Sequence, residues 1–244
     1  MMRFVVVTMF AAIVFLLGGI ALLPMRMVLV AARLDRAGLA AAEVSGTIWN
    51  GALRGAQFRG ADLGDVRLGL SPLSLLRLAP QMRFAAPGNG GVQSASASGA
   101  MRLLISPGVV KLNAALPLGI WKSPIPLQGQ LRFADVSFRF ERGRCIGASG
   151  RVSTDALTAS ASSLGLQGPV LEGPVTCDGP FALANLAGEQ NGMRVLAKLR
   201  IDARARVKLD SEVSGVDGVG EAVLSAAGFT LGPNGWARSD QGHL

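Results

Sequence analysis

The sequence predicts an all-β domain, a curved antiparallel sheet of about ten strands with one short helix, preceded by a transmembrane helix. Three observations support this class. Residues 4–25 carry no charge, apolar and polar residues alternate with period two from Val44 onward, and 32 glycines and 12 prolines supply turns between short segments. The chain therefore divides into a cytoplasmic tip with a transmembrane helix (1–25), a short helical connector (26–43) and an antiparallel β domain (44–244).

The N-terminal apolar run is long enough to cross a membrane. It comprises 22 consecutive residues without a charge, and at 1.5 Å per helical residue these span a hydrocarbon core of about 30 Å. A cleaved signal peptide is the alternative, because Gly19 and Ala21 resemble a small-residue cleavage site. The run continues past that point through Pro24 and Met25, which favours an uncleaved anchor.

The first segment of the β domain, VSGTIWNG (44–51), places a tryptophan between two glycines in a chain with three Trp and no Tyr. The surrounding period-two pattern and the absence of a titratable partner predict a structural role for Trp49. Gly46 and Gly51 would let this first strand bend or approach its neighbours closely, with Trp49 packed beside them as a wedge. The other two tryptophans, Trp121 and Trp236, lie beside Gly or Pro and are expected to close the ends of the sheet core, the alternative being contact with lipid or a partner.

One helix is predicted in the β domain, within LSPLSLLRLAP (70–80). Ser71 is suited to the N-cap and Pro72 to the first turn, and four leucines follow. We expect this helix to cross the apolar face of the sheet. A partner-binding helix is the alternative.

Several strands can be assigned in the middle of the chain. Residues 94–104 and 108–116 alternate and are separated by a turn at Ser106-Pro107-Gly108. In LRFADVSFRF the alternation slips by one residue at Ala134-Asp135, which predicts a β-bulge. The small polar segment TASASS (158–163) is interpreted as a strand or hairpin arm with one wet face.

The segment RVLAKLRIDARARVKLD (194–210) predicts one long strand. Its odd-numbered positions from Val195 to Leu209 are apolar and the intervening positions are charged, apart from one Leu. Small residues on the inner face, Ala197, Ala203 and Ala205, would leave room for a trough.

Cys145 and Cys177 are the two cysteines of the chain. They are too far apart for a CxxC redox motif, and without a nearby histidine they cannot complete a zinc site. They predict one structural disulfide formed in an oxidising compartment, with two buried free thiols as the alternative. Three Gly-Pro pairs at 168, 173 and 179 predict tight turns around Cys177. The β domain is therefore expected in a periplasm, suspended from an inner-membrane anchor.

Nothing in the sequence indicates catalysis, a metal site or a cofactor. The chain has a single histidine, His243, next to its last residue, and no nucleophile, base and acid can be combined with it. The formal net charge of +8 is carried mostly by arginines that are spread along the chain. They are expected to cover solvent faces, an anionic partner such as lipid being the alternative. Nucleic acid is not expected, because no basic run is interleaved with aromatic residues.

Five segments together resemble type II secretion system protein N. They are the anchor ending in ALLP, VSGTIWNGALRGAQF, LGLSPLSLLRL, GRCIGASGRV and GPVTCDGPFAL. The resemblance implies a non-catalytic, single-pass inner-membrane protein with a β-rich periplasmic domain that contacts other secretion proteins. The first of these strands and its Leu-rich helix also resemble, more distantly, AsmA-like envelope proteins, which implies the alternative function of lipid handling on an apolar sheet face. An apolar face fully covered by the 70–80 helix would favour the assembly role, and an open groove would favour lipid binding.

Overall fold

The computed structural model describes residues 19, 22–31, 38–58, 60–76, 79–88, 95–102, 108–118, 128–162, 167–203 and 206–243. Fifteen strands form one antiparallel sheet: β1 (Leu39–Ala40), β2 (Glu43–Thr47), β3 (Asn50–Phe58), β4 (Ala61–Leu70), β5 (Gln81–Ala86), β6 (Ser96–Arg102), β7 (Gly108–Pro117), β8 (Gln130–Glu141), β9 (Arg144–Thr154), β10 (Leu171–Asp178), β11 (Phe181–Gln190), β12 (Met193–Ile201), β13 (Arg206–Ser214), β14 (Thr230–Gly232) and β15 (Gly235–His243). Four helices accompany them in this part of the chain: α1 (Met25–Ala31), α2 (Pro72–Leu76), α3 (Ala156–Ser162) and α4 (Gly218–Ala226).

The sheet is an open meander. From β3 to β13 every strand pairs with the strand that follows it in the chain, and β15 then pairs with β13 and carries β14 at its outer side. At the other edge, β1 and β2 lie end to end along β3. The all-β antiparallel class is confirmed, but the sheet has fifteen strands where about ten were expected. The described part of the β domain contains three helices where one was expected, and the fourth helix, α1, lies at the start of the predicted helical connector.

The long strand predicted for residues 194–210 is wrong, because this segment is a hairpin of β12 and β13. The chain reverses after Ile201, and the Asp202 carboxylate accepts hydrogen bonds from the Arg206 backbone N–H at 2.9 Å and from its Nε at 2.6 Å. Asp202 is buried, and its own N–H donates to the Arg206 carbonyl at 3.1 Å. The buried carboxylate of Asp202 is therefore paired within the turn.

The bulge predicted at Ala134-Asp135 is confirmed. The register of β8 on β9 shifts between Ala134 and Ser137, and Asp135 has a φ of 48°. Asn113 on β7 holds this position from both sides, since its Nδ2 donates to Asp135 Oδ1 at 3.1 Å and its Oδ1 accepts from Asp135 N at 2.6 Å. The side chain of Asn113 thus stabilises the bulge through two hydrogen bonds to Asp135.

The predictions of a strand at TASASS and of a turn at Gly173-Pro174 are wrong. The TASASS segment lies in helix α3 for its described residues, because Asp155 precedes it and the Ala159 N–H donates to the Asp155 carbonyl at 2.8 Å. Gly173-Pro174 is not a turn but the interior of β10, whereas Gly179-Pro180 does form the turn between β10 and β11. Glycine is required at 173 because a Cβ there would collide with the Asn185 carbonyl of β11.

One face of the sheet is apolar and carries two core clusters. The larger spans β8 to β13 and includes the buried Val136, Val152, Leu186 and Val195, with Leu157 of α3 and Leu224 of α4 packed against it. The smaller lies on β3, β4 and their neighbours, around Leu53, Ala56 and Val66. The opposite face is polar, as alternation in a half-wet sheet requires.

Within the residues that the structure describes, no helix is long and apolar enough to cross a membrane. The predicted span at 4–25 lies almost entirely outside those residues. The predicted helix at 70–80 is present as α2, between the adjacent strands β4 and β5. Leu73 of α2 is 69% exposed, so this side chain does not cover the apolar face.

Candidate interaction surfaces

The hairpin of β2 and β3 brings Gly46, Trp49 and Gly51 together. Gly46 and Gly51 are direct cross-strand partners, and Ile48 and Trp49 form the two-residue turn between the strands. Gly46 has a φ of 82°, and a Cβ there would collide with the carbonyl of Asn50. A Cβ at Gly51 would lie 2.7 Å from Cγ of Met25, the first residue of α1. Trp49 is partly buried, and its carbonyl lies against Gly69 of β4.

The disulfide joins Cys145, near the start of β9, to Cys177, near the end of β10, with a Cα–Cα distance of 5.6 Å. The backbone register between these two strands covers only Leu171 to Pro174 on β10. Past that point β9 pairs with β8 and β10 pairs with β11. The disulfide therefore links the two parts of the sheet where β9 and β10 no longer pair.

An ionic ladder crosses the polar face between β10 and β15. Arg200 reaches Asp210 Oδ2 with its Nη1 at 2.6 Å and Asp178 Oδ2 with its Nε at 3.6 Å. The Ser239 hydroxyl donates to Asp210 Oδ1 at 2.7 Å. That hydrogen bond is the main cause that lowers the pKa of Asp210 below its ordinary 3.8; partial burial opposes it, and Lys208 and Arg200 add to it. These contacts connect side chains of β10, β12, β13 and β15 across the polar face.

A shallow groove of about 810 Å³ lies along β12, β13 and β15 beside the end of α4. Its walls include Leu196 and Lys198 of β12, Glu212 of β13 and Arg238 of β15. Arg238 also donates to the carbonyl of Ala227 and pairs with Asp240 at 2.6 Å. The groove thus opens beside the last strands of the sheet.

The outer edge of β15 is only partly covered. β14 pairs with β15 from Gly235 to Ala237, and no described strand pairs with the outer side of β15 from Arg238 to His243. In a two-residue hairpin the residues that flank the turn form the close hydrogen-bonded pair, so odd-numbered residues of β15 point their backbone groups outward. The Thr230 hydroxyl, which donates to the Ala237 carbonyl at 3.2 Å, agrees with this assignment.

The apolar face has a less covered section between the two core clusters. Met82 and Phe84 of β5, Met101 of β6 and Leu112 of β7 point to the same side as the cores and are partly buried, but they belong to neither cluster. The room expected around Ala197, Ala203 and Ala205 is not found where it was predicted. Ala197 is buried in the larger cluster, Ala203 lies exposed in the β12–β13 turn, and Ala205 is outside the described residues.

Across the described residues, no group of three or more His, Cys, Asp or Glu side chains could hold a metal ion. His243 ends β15, where its backbone pairs with that of Arg206. Trp236 pairs with Val213 and packs against the larger core cluster, and Trp121 lies outside the described residues.

Sequence reasoning missed one surface, a line of cations on the polar face of β4 to β8. We name Arg67, Arg83, Arg102, Lys111 and Arg139 the basic stripe. They are far apart in sequence, so the arginines looked evenly spread. A signal was present nonetheless, because residues 66–134 contain seven Lys or Arg and no Asp or Glu.

Comparison with known proteins gives one match. The family model for the type II secretion system (T2SS), protein N, matches residues 37–243. None of the curated proteins and none of the solved structures matches the chain.

Proposed function

The chain belongs to the type II secretion system protein N family, and we propose that it is a non-catalytic inner-membrane subunit whose periplasmic sheet binds another secretion protein along the open edge of β15. Membership makes it a component of the type II secretion machinery. The membrane anchor, the compartment and the contact are our proposals, each supported by different features.

The periplasmic location is supported by the cysteine pair. Disulfides persist in oxidising compartments such as the bacterial periplasm and are rare in the cytosol. The disulfide of Cys145 and Cys177 joins two neighbouring strands of the sheet, β9 and β10. The apolar run at 4–25 would hold this domain at the inner membrane as a single-pass anchor.

The open edge of β15 is the observation that carries the proposed contact. A strand edge without a neighbour offers a row of backbone donors and acceptors to an extended segment of another chain. The groove beside Arg238 lies next to this edge and would receive side chains of the added segment. A secretion partner that contributes one extended strand fits both features.

The test uses a proline at an outward-facing position. Gln241→Pro removes a backbone N–H from the open edge and leaves the backbone hydrogen bonds between β15 and β13 intact, whereas Gln241→Ala keeps that N–H. In cells that lack the native protein, we expect Gln241→Ala to restore secretion and Gln241→Pro to fail. A photo-crosslinking residue at 239 should capture a secretion subunit only in the alanine background. Secretion and crosslinking by the proline variant at the level of the alanine variant would refute the contact.

Lipid handling is a second candidate function, favoured by the less covered section of the apolar face. Met82, Phe84, Met101 and Leu112 offer a half-buried apolar strip, and Leu73 of α2 is exposed and so does not cover it. An acyl chain lying on the strip would complete its burial.

Mass spectrometry of lipid that co-purifies with the full chain tests this candidate. Phe84→Gln places a polar group in the strip, and Ala85→Gln places the same group on the opposite face of β5. Stoichiometric lipid that is lost in the first variant and kept in the second would support lipid handling. Equal lipid content in both variants would exclude the strip as its site.

A further inference from the structure

Charge compensation on the polar face differs between the two halves of the sheet. From β9 onward most cations have a carboxylate partner: Arg151 with Glu172 at 2.5 Å, Arg194 with Glu189 at 3.0 Å, and Arg200 with Asp210 at 2.6 Å. By contrast, no cation of the basic stripe forms an ion pair with any carboxylate in the described part of the chain.

The strand register aligns the stripe. Arg67 is opposite Ala85, two residues from Arg83, and Arg83 is opposite Ala100, two residues from Arg102. The same offset relates Arg102 to Lys111 on β7, and Lys111 to Arg139 on β8. Diagonal neighbours of this kind lie about 7–8 Å apart. The five cations therefore form one continuous line across five strands.

Such a line is unfavourable for an isolated domain. Like charges on adjacent strands repel one another, and soluble surfaces usually intersperse both signs. An even distribution of the chain's 16 acidic residues would place about four or five in residues 66–134, where there are none. The nearest carboxylates on this face are Asp65 and Glu141, at the two ends of the stripe, and Asp135 of β8, which lies two residues from Ser137, the partner of Lys111, and is bound by Asn113. The stripe thus has the charge distribution of a surface that meets an anion.

Most residues between the cations are small, and Val109 of β7 lies directly opposite Arg102 and Arg139. Ala85, Ala100, Ser98 and Ser137 share this face, and the Arg139 guanidinium lies across Gly147, where a Cβ would be 3.2 Å from its Nε. No aromatic ring interrupts the stripe on β4 to β8, which argues against single-stranded nucleic acid. The same absence leaves a protein partner without the Trp and Tyr anchors that accompany Arg in interface hot spots.

Exposed apolar side chains lie at one end of the same strands. Leu73 of α2 stands between β4 and β5, and Leu22, Met27 and Val30 in and beside α1 are 58% to 77% exposed. Both helices are tied to the β2–β3 turn: the Leu70 N–H donates to the Ile48 carbonyl at 2.8 Å, and the Ile48 N–H donates to the Leu23 carbonyl at 3.1 Å. Met25 at the start of α1 packs against Gly51, the partner of Leu68 on the apolar side, so these groups lie at the strand end next to the stripe and not among its cations. Cations close to exposed apolar groups are typical of surfaces that bind an anionic bilayer.

We propose that the basic stripe binds the anionic headgroups of a phospholipid bilayer, so that the N-terminal half of the sheet rests against the membrane. The side chains at the α1 and α2 end would enter the boundary between headgroups and acyl chains. This contact goes beyond the proposed secretion role and does not depend on a partner at β15.

In the test, the full chain is reconstituted in phosphatidylcholine nanodiscs, and the membrane scaffold protein that encloses each nanodisc is attached to the sensor surface. The analytes are vesicles of phosphatidylcholine with or without phosphatidylglycerol. The stripe variant replaces Arg83, Arg102, Lys111 and Arg139 by Gln. A matched control loses the same charge from the other half of the polar face, by replacing Arg151, Arg194, Lys198 and Lys208 by Gln.

We expect the chain to bind vesicles only when they contain phosphatidylglycerol, and this binding should weaken as the salt concentration rises. Vesicle affinity should fall about tenfold or more in the stripe variant and less than about threefold in the control. If the stripe variant does not fold, the single variants Arg83→Gln and Lys111→Gln should each lose about threefold to fivefold.

Three outcomes would overturn the proposal. The first is equal loss in the stripe variant and the control, which would show an effect of net charge alone. The second is equal binding to vesicles that lack phosphatidylglycerol. The third is that the stripe variant binds polyglutamate more weakly than the unchanged chain but binds vesicles equally well, which would identify an acidic protein as the partner.

Discussion

Removal of the disulfide should destabilise the sheet at one defined place. The bond between Cys145 and Cys177 spans a sequence separation of 32 residues. The loop-closure entropy of a cross-link of this size corresponds to about 3–4 kcal/mol at 25 °C. For a domain of about 200 residues this lowers the unfolding midpoint by about 6–16 °C. We expect that loss for the double variant Cys145→Ala, Cys177→Ala.

The location of the effect follows from the strand register. β9 and β10 share backbone pairs only between Leu171–Pro174 and Arg151–Thr154, so beyond Pro174 the disulfide is the covalent link between them. Amide hydrogen exchange should therefore increase most at 144–150 and 175–178 in the double variant.

Urea unfolding and hydrogen exchange on the oxidised protein, the reduced protein and the double variant provide the measurement. The reduced protein serves as the control, because it lacks the bond but keeps both side chains. A loss below about 1 kcal/mol, or an exchange increase spread evenly over the sheet, would refute this reasoning.

Three further predictions concern single positions. Gly173→Ala should destabilise the protein by about 2 kcal/mol or more, since its Cβ would collide with the backbone of β11, whereas Gly218→Ala, which meets no atom within 4 Å, should change urea stability by less than about 1 kcal/mol. Gly46→Ala should cost at least about 1 kcal/mol because of its positive φ and the adjacent carbonyl; thermal unfolding would detect this, and an unchanged midpoint would contradict the hairpin geometry. Because the pKa of Asp210 is lowered in the folded state, its ionised form stabilises the fold above pH 3.8, and this contribution is lost as the pH falls through the lower folded pKa. Asp210→Asn should therefore show a smaller acid-induced loss of urea stability than the wild type, and equal losses would exclude this role.

The sequence predicts the sheet but undercounts its strands, and residues 194–210 show why. In the β12–β13 hairpin Ile201 pairs with Val207 and Arg200 with Lys208, so odd residues face odd residues across the turn. The period-two alternation therefore passes through the reversal without a phase change. No hydrophobic pattern can distinguish such a hairpin from one long strand; only the buried carboxylate of Asp202 marks the turn. By contrast, the bulge at Asp135 shifts the phase and was predictable.

The basic stripe was beyond sequence reasoning for a related reason. Its members are separated by 9 to 28 positions in the chain, and only the register of five strands brings them into line. The period-two alternation predicts one apolar face of the sheet, but it does not predict that the buried residues of this face form two separate clusters. The larger cluster is covered by Leu157 of α3 and Leu224 of α4, whereas the residues packed against the smaller one lie on strands and a loop. The helix α3 lies in a small polar segment that alternates like a strand.

The meander also determines the order in which the molecule can assemble. Apart from β1 with β3 and β13 with β15, every pairing joins strands that are consecutive in the chain. As the chain is synthesised, each new strand can therefore add to an edge that already exists, and short-range pairing of this kind favours rapid folding. The growing edge moves from β3 towards the C-terminus as synthesis proceeds. Beyond Ala237 the outer side of β15 has no strand neighbour among the described residues, so a partner strand bound there would extend the same sheet with a second polypeptide.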